Sequence, residues 1–127
     1  MKPLVLIVED NERNRKLVRT ILEFRGFEVA ECGDGEPAIA LAKSLRPVLI
    51  LMDIELPKLD GISALMRLRA DPDTAHIPVV AVTASVTASQ RQRIASAGFN
   101  AYIAKPIDVE EFGATIERLA GKAGASA

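Results

Sequence analysis

The apolar run Val48-Leu49-Ile50-Leu51-Met52 ends in a single carboxylate, Asp53. Five consecutive apolar residues after Pro47 read as a strand covered on both faces, because a strand with one wet face alternates. Doubly covered strands belong to parallel sheets, and open α/β sheets gather their reactive groups outside the carboxyl ends of the strands. The pattern recurs near the start of the chain, where Leu4-Val5-Leu6-Ile7-Val8 runs straight into Glu9-Asp10. If the two strands are parallel neighbours, Glu9, Asp10 and Asp53 converge on one pocket. Three carboxylates so close raise one another's pKa values unless a cation sits among them. The arrangement predicts a metal site.

Strand and helix patterns alternate five times. After strand 4–8, Leu17, Val18, Ile21 and Leu22 recur at helical spacing over 11–24, and Gly26 suits the left-handed residue that closes such a helix. Residues 27–32 alternate and form a less buried strand. Gly33-Asp34-Gly35 is a turn, and Pro37 fits the first turn of a helix running to about residue 45. Strand 48–52 follows, then a loop between Pro57 and Gly61 and a helix marked by Ile62, Leu65, Met66 and Leu68. After the turn at 71–74 come strand 78–82, a helix with a weak apolar stripe to about Ala97, strand 101–103, and a last helix carrying Val109, Phe112, Ile116 and Leu119. Leu17, Ile21, Ile94, Phe112 and Ile116 are expected in the core. One domain is expected over residues 1–120, with 121–127 as a short flexible tail. Five such units predict a single α/β domain, a parallel sheet with helices on both faces, for which right-handed crossovers leave few topologies; one of these is the doubly wound, flavodoxin-like strand order 2-1-3-4-5. That order puts strands one and three at the switch point, where the crevice opens.

The 127 residues allow one core and not two. A net charge of −1 gives no basic field, so no direct DNA binding is expected. No stretch approaches the ~20 apolar residues of a membrane span, and the first residues lack a signal-peptide layout, so a cytoplasmic protein is expected. Cys32 reads as a small core residue, and His76 as plain surface.

Two more polar residues end strands. Thr83 follows Val82, and Lys105 follows Ile103-Ala104. The pocket then holds two carboxylates for a cation, one free to react, a hydroxyl and an ammonium. This is equipment for phosphoryl transfer to Asp53, where a carboxylate nucleophile forms an acyl phosphate and catalysis is positioning plus electrostatics. Mg²⁺ is the expected cation, since it keeps several waters beside one or two carboxylates. Alone, Asp10 or Asn11 could cap the first helix, and Thr83 the fourth.

Val8-Glu9-Asp10-Asn11, the segment from Leu51 to Pro57, Gly61, Val82-Thr83-Ala84 and Lys105-Pro106 together resemble the receiver domain of bacterial response regulators, of the CheY type. The resemblance implies that Asp53 is the phosphoacceptor. It implies that Asp10 binds Mg²⁺ directly, that Glu9 acts through a bound water, and that Glu55 offers its backbone carbonyl. By the same likeness Lys105 pairs with the phosphoryl oxygens, and its bond to Pro106 is cis. Thr83 turns inward to the phosphoryl group with Tyr102 following, and small Ala84 leaves the group accessible. The lifetime of the acyl phosphate depends in such domains on positions including Glu55 and Ser85. The implied partners are a sensor histidine kinase or histidine phosphotransferase and a downstream protein target, contacted through the surface of helix four, strand five and helix five. The protein itself would be no enzyme beyond assisting its own phosphorylation and dephosphorylation. Alternatives are a scaffold that never takes phosphate and a Mg²⁺-dependent phosphohydrolase. The latter would want an Asp where Glu55 stands. A flavin mononucleotide carrier is rejected, because Glu9-Asp10 would repel its phosphate.

Overall fold

The computed structural model describes residues 2–56, 58–84 and 87–124. Pro57, Ser85 and residues 125–127 of the expected tail therefore lie outside the described residues. Strands β1 (Leu4–Val8), β2 (Glu28–Cys32), β3 (Leu49–Asp53), β4 (Val79–Thr83) and β5 (Ala101–Ala104) alternate with helices α1 (Glu12–Phe24), α2 (Gly35–Leu45), α3 (Gly61–Ala70), α4 (Ala88–Ala97) and α5 (Val109–Gly124). All pairings are parallel, in the order β2-β1-β3-β4-β5.

The apolar runs explain this architecture residue by residue. Successive side chains of a strand point to opposite faces. Leu49 and Leu51 of β3 pack with Val18, Ile21, Leu22, Phe112 and Ile116 of α1 and α5. Ile50 and Met52 pack on the other face with Ala38, Ala42, Ala64, Leu65 and Leu68 of α2 and α3. Every residue of β3 and β4 is buried, whereas β2 at the sheet edge has no fully buried residue.

One sequence expectation changes. Leu17 is not core but 43% exposed. The buried stripe of α1 is Val18, Ile21 and Leu22, and Leu17 stands about 100° round the helix from Val18. It lines an open groove with Asn14, Lys105, Pro106 and Ile107. Helix α5 spans Val109–Gly124. Gly26 has φ +90°, the left-handed value expected beyond α1. Among the described residues, no helix is long and apolar enough to cross a membrane.

Candidate functional site

Register alone brings the strand-end residues together. Val8 pairs with Met52, so Glu9 and Asp53 follow at one level. Asp53 pairs with Val82, which brings Thr83 next, and Thr83 pairs with Ala104, which brings Lys105 next. The Lys105 ammonium lies 3.0 Å from Glu9 Oε1 and 3.0 Å from Asp53 Oδ2. The backbone N–H of Glu55 donates to Asp53 Oδ1 at 2.9 Å. Glu9, Asp53 and Thr83 are buried, while Asp10 is exposed. Oxygens of Glu9, Asp10 and Asp53 lie within 4.8 Å of one another.

The electrostatics divide the carboxylates. Burial, then the nearby Asp53, pushes Glu9 up to about 7 from 4.5. Burial also opposes charge on Asp53. There it is outweighed by hydrogen bonding with Glu9, the Glu55 N–H and Lys105, so Asp53 is held below its ordinary value. Burial lowers Lys105, but Glu9 and Asp53 more than offset it and hold the ammonium above the usual range. Asp53 is thus the ionised member of the pair. The backbone of Glu9 is fixed by Arg15, whose guanidinium donates to the Glu9 carbonyl at 3.0 Å and is braced by Glu31. The all-oxygen donor set, with Asp10 open to solvent, fits a hard divalent cation.

The loop leaving β3 is built to hold still. A Cβ on Gly61 would stand 2.6 Å from the Asp53 carbonyl oxygen and 2.9 Å from Ile54 Cα, so only glycine lets α3 start against the end of β3. The Gly61 N–H donates to the Ile54 carbonyl at 3.1 Å. From the β2–α2 turn, Asp34 Oδ1 accepts both Gly35 N–H at 2.7 Å and Leu59 N–H at 3.2 Å. Gly35 in turn packs so closely on the Leu59 carbonyl that a Cβ would come to 2.6 Å.

Glu9, Asp10, Asp53, Thr83 and Lys105 stand together at the carboxyl edge. Tyr102 does not join them: it is 43% exposed and lines a surface depression with Glu111, Ala114, Thr115 and Arg118. Thr83 does not cap α4, a role taken by Thr87, and Asn11 rather than Asp10 caps α1. The Lys105–Pro106 peptide bond is cis. His76 is exposed and away from the site. Sequence reasoning missed Asp34 and Gly35 as clasps, although their turn ends β2 at the same edge. It also missed the Glu55 side chain, whose Oε1 accepts from Thr83 Oγ1 at 3.3 Å and from Ala84 N–H at 3.1 Å.

This fold and this cluster define a class. Residues 5–117 match the response regulator receiver domain, and the chain belongs to that family. It is a receiver of two-component signalling, not a member of a catalytic enzyme family. Among its relatives, it is 45% identical to the polar-differentiation response regulator DivK of Brucella anthropi, over 97% of this chain and 100% of the relative. It is 44% identical to DivK of Brucella ovis with the same coverage. The receiver domain of a sensor histidine kinase from Pseudomonas aeruginosa, solved with magnesium coordinated in its active-site cleft, superposes with TM-score 0.88 at 35% identity, covering 95% of this chain and 99% of that one. A chemotaxis CheY protein of Vibrio cholerae superposes with TM-score 0.87 at 25% identity, covering 94% and 99%.

Proposed function

We propose that Asp53 accepts a phosphoryl group from a phosphohistidine on a histidine kinase or phosphotransfer protein, and that residues 1–120 form the receiver unit. The observation that carries this reading is the buried Asp53, with the Lys105 ammonium 3.0 Å away and two further carboxyl groups at metal-binding distance. An Asp53 oxygen attacks phosphorus. The O–P bond forms as the N–P bond of the donor breaks, and the imidazole leaves with the electron pair. Asp10 and Asp53, with the Glu55 carbonyl and with Glu9 through water, would hold Mg²⁺. When bound, the ion neutralises charge on the transferring group. Lys105 lies where it can pair with a phosphoryl oxygen, and Thr83 where it can donate to another.

Phosphorylation adds close to two negative charges beside Thr83 and Lys105. Thr83 and Tyr102 would then turn inward, and the surface of α4, β5 and α5 would present the change to a downstream protein in the cytoplasm. Small Ala84 keeps the acyl phosphate within reach of water and partners. The likeness to DivK favours a role in polar differentiation.

Intact-protein mass spectrometry after incubation with acetyl phosphate and Mg²⁺ tests the reading. One phosphoryl group is gained by the wild type and none by Asp53→Asn. Equal labelling of both proteins would make another residue the acceptor. No gain in the wild type would leave the fold as a scaffold.

A further inference from the structure

Glu55 has no partner of opposite charge among the ion pairs of the described residues. Its carboxylate instead turns back over the end of β4, where one oxygen takes two donors, Thr83 Oγ1 at 3.3 Å and Ala84 N–H at 3.1 Å. Thr83 is 1% exposed, so its hydroxyl cannot turn to bulk water. The Glu55 N–H meanwhile donates to Asp53 Oδ1, so one residue contacts the acceptor through its backbone and the strand-end donors through its side chain.

We infer that Glu55 is an internal anion that occupies the hydroxyl and amide donors a phosphoryl group on Asp53 requires, so that phosphorylation must expel it. This rests on the receiver reading and extends it to the state before phosphate arrives. The two anions compete for the same donors. A hydrogen bond to an ionised acceptor is stronger than a neutral one, and the incoming group must replace it while also facing a like charge. Glu55 therefore holds Thr83 in its resting position and raises the threshold for switching. Once expelled, it carries its charge outward from the β3–α3 loop, so a second surface change accompanies the movement of Thr83. Because Glu55 is exposed, its substitution leaves the core untouched.

The test combines amide NMR with titration of beryllofluoride, formed from beryllium chloride and excess fluoride, in the presence of Mg²⁺. In the metal-free protein, Glu55→Ala moves the Ala84 amide proton upfield and speeds its exchange with solvent, whereas Glu55→Gln largely keeps the bond. Beryllofluoride then half-saturates Glu55→Ala at about tenfold lower concentration than wild type. Glu55→Gln shows a smaller gain. In a Thr83→Val background the gain from Glu55→Ala shrinks, because the contested hydroxyl is gone. An unmoved Ala84 amide overturns the contact. Unchanged affinity in Glu55→Ala, or an equal gain with and without the Thr83 hydroxyl, overturns the competition and leaves plain charge repulsion. If wild type binds no beryllofluoride at all, the receiver reading falls and the competition falls with it, while the Ala84 amide still reports the contact.

Discussion

Lys105 reaches past the end of β4, the strand between its own and that of the acceptor, to place its ammonium 3.0 Å from Asp53 Oδ2. The same nitrogen touches Glu9, so one ammonium faces both buried carboxyl groups. Lys105→Met leaves Asp53 without its ammonium. Phosphate uptake from acetyl phosphate should fall by about 100-fold, the scale of losing one preorganised charge stabiliser. Mg²⁺ should bind at least as tightly, because the ammonium no longer competes for the same oxygens. Labelling kinetics and a metal titration on one preparation separate the effects. Weakened Mg²⁺ binding would mean that Lys105 organises the metal ligands.

The Glu9 carboxyl titrates near 7 in the folded protein against 4.5 unperturbed. Between those values the native state holds a proton that the unfolded chain has released. Stability of the metal-free protein should therefore be fullest below about pH 4.5, as far as Glu9 is concerned, and decline as pH rises towards 7. Asp53 is shifted downward, so its contribution is lost only as pH falls through its own lower range. The two windows do not overlap. Urea midpoints at pH 5, 6, 7 and 8 should fall for wild type and stay nearly level for Glu9→Gln. Mg²⁺ should recover more stability at pH 8 than at pH 5, because it binds the deprotonated cluster.

Gly61→Ala forces a methyl group against the Asp53 carbonyl. The expected cost is about 1–3 kcal/mol, the range for overpacking, with reduced phosphate uptake because the acceptor's own backbone must shift. Gly26 supplies the control. Its φ of +90° penalises alanine, but nothing lies within 4 Å. Gly26→Ala should lose about 1–2 kcal/mol and keep its labelling rate. Equal loss of labelling in both variants would deny Gly61 any special place beside Asp53.

Asp34 holds the β3–α3 loop from outside through the Leu59 N–H. Asp34→Ala frees that loop, which carries the Glu55 carbonyl. Mg²⁺ affinity should drop about tenfold, as when an outer partner of a metal ligand is removed. Asp34→Asn keeps an acceptor oxygen and should lose less. Isothermal titration reads both, and full affinity in the alanine variant would show that the loop stands without its clasp.

Much of this was legible from the chain. The runs 4–8 and 48–52 are apolar at every position because their strands are covered on both faces, and the polar residue after each run falls at the edge that register defines. Glu9, Asp53, Thr83 and Lys105 could therefore be placed together before any coordinates. Leu17 could not, because helical spacing does not tell the centre of an apolar stripe from its margin, and α1 buries Val18 instead. The Glu55 side chain was hidden for another reason. A residue beyond a strand end has left the alternating pattern, so its direction is set by the loop. Asp34 lies 25 residues from Leu59, and neither turn names the other.

The approach of α3 to β3 also decides where this chain can change length. Gly61 rests on Asp53, its N–H closes on Ile54, and Asp34 grips the span between from a separate turn. One residue added or removed in 54–60 would pull at least one of these anchors from its seat. The turn at 71–77, at the opposite end of the sheet, touches none of them. Natural or engineered insertions should accumulate there, and the loop beside the acceptor should keep its residue count even where its side chains vary.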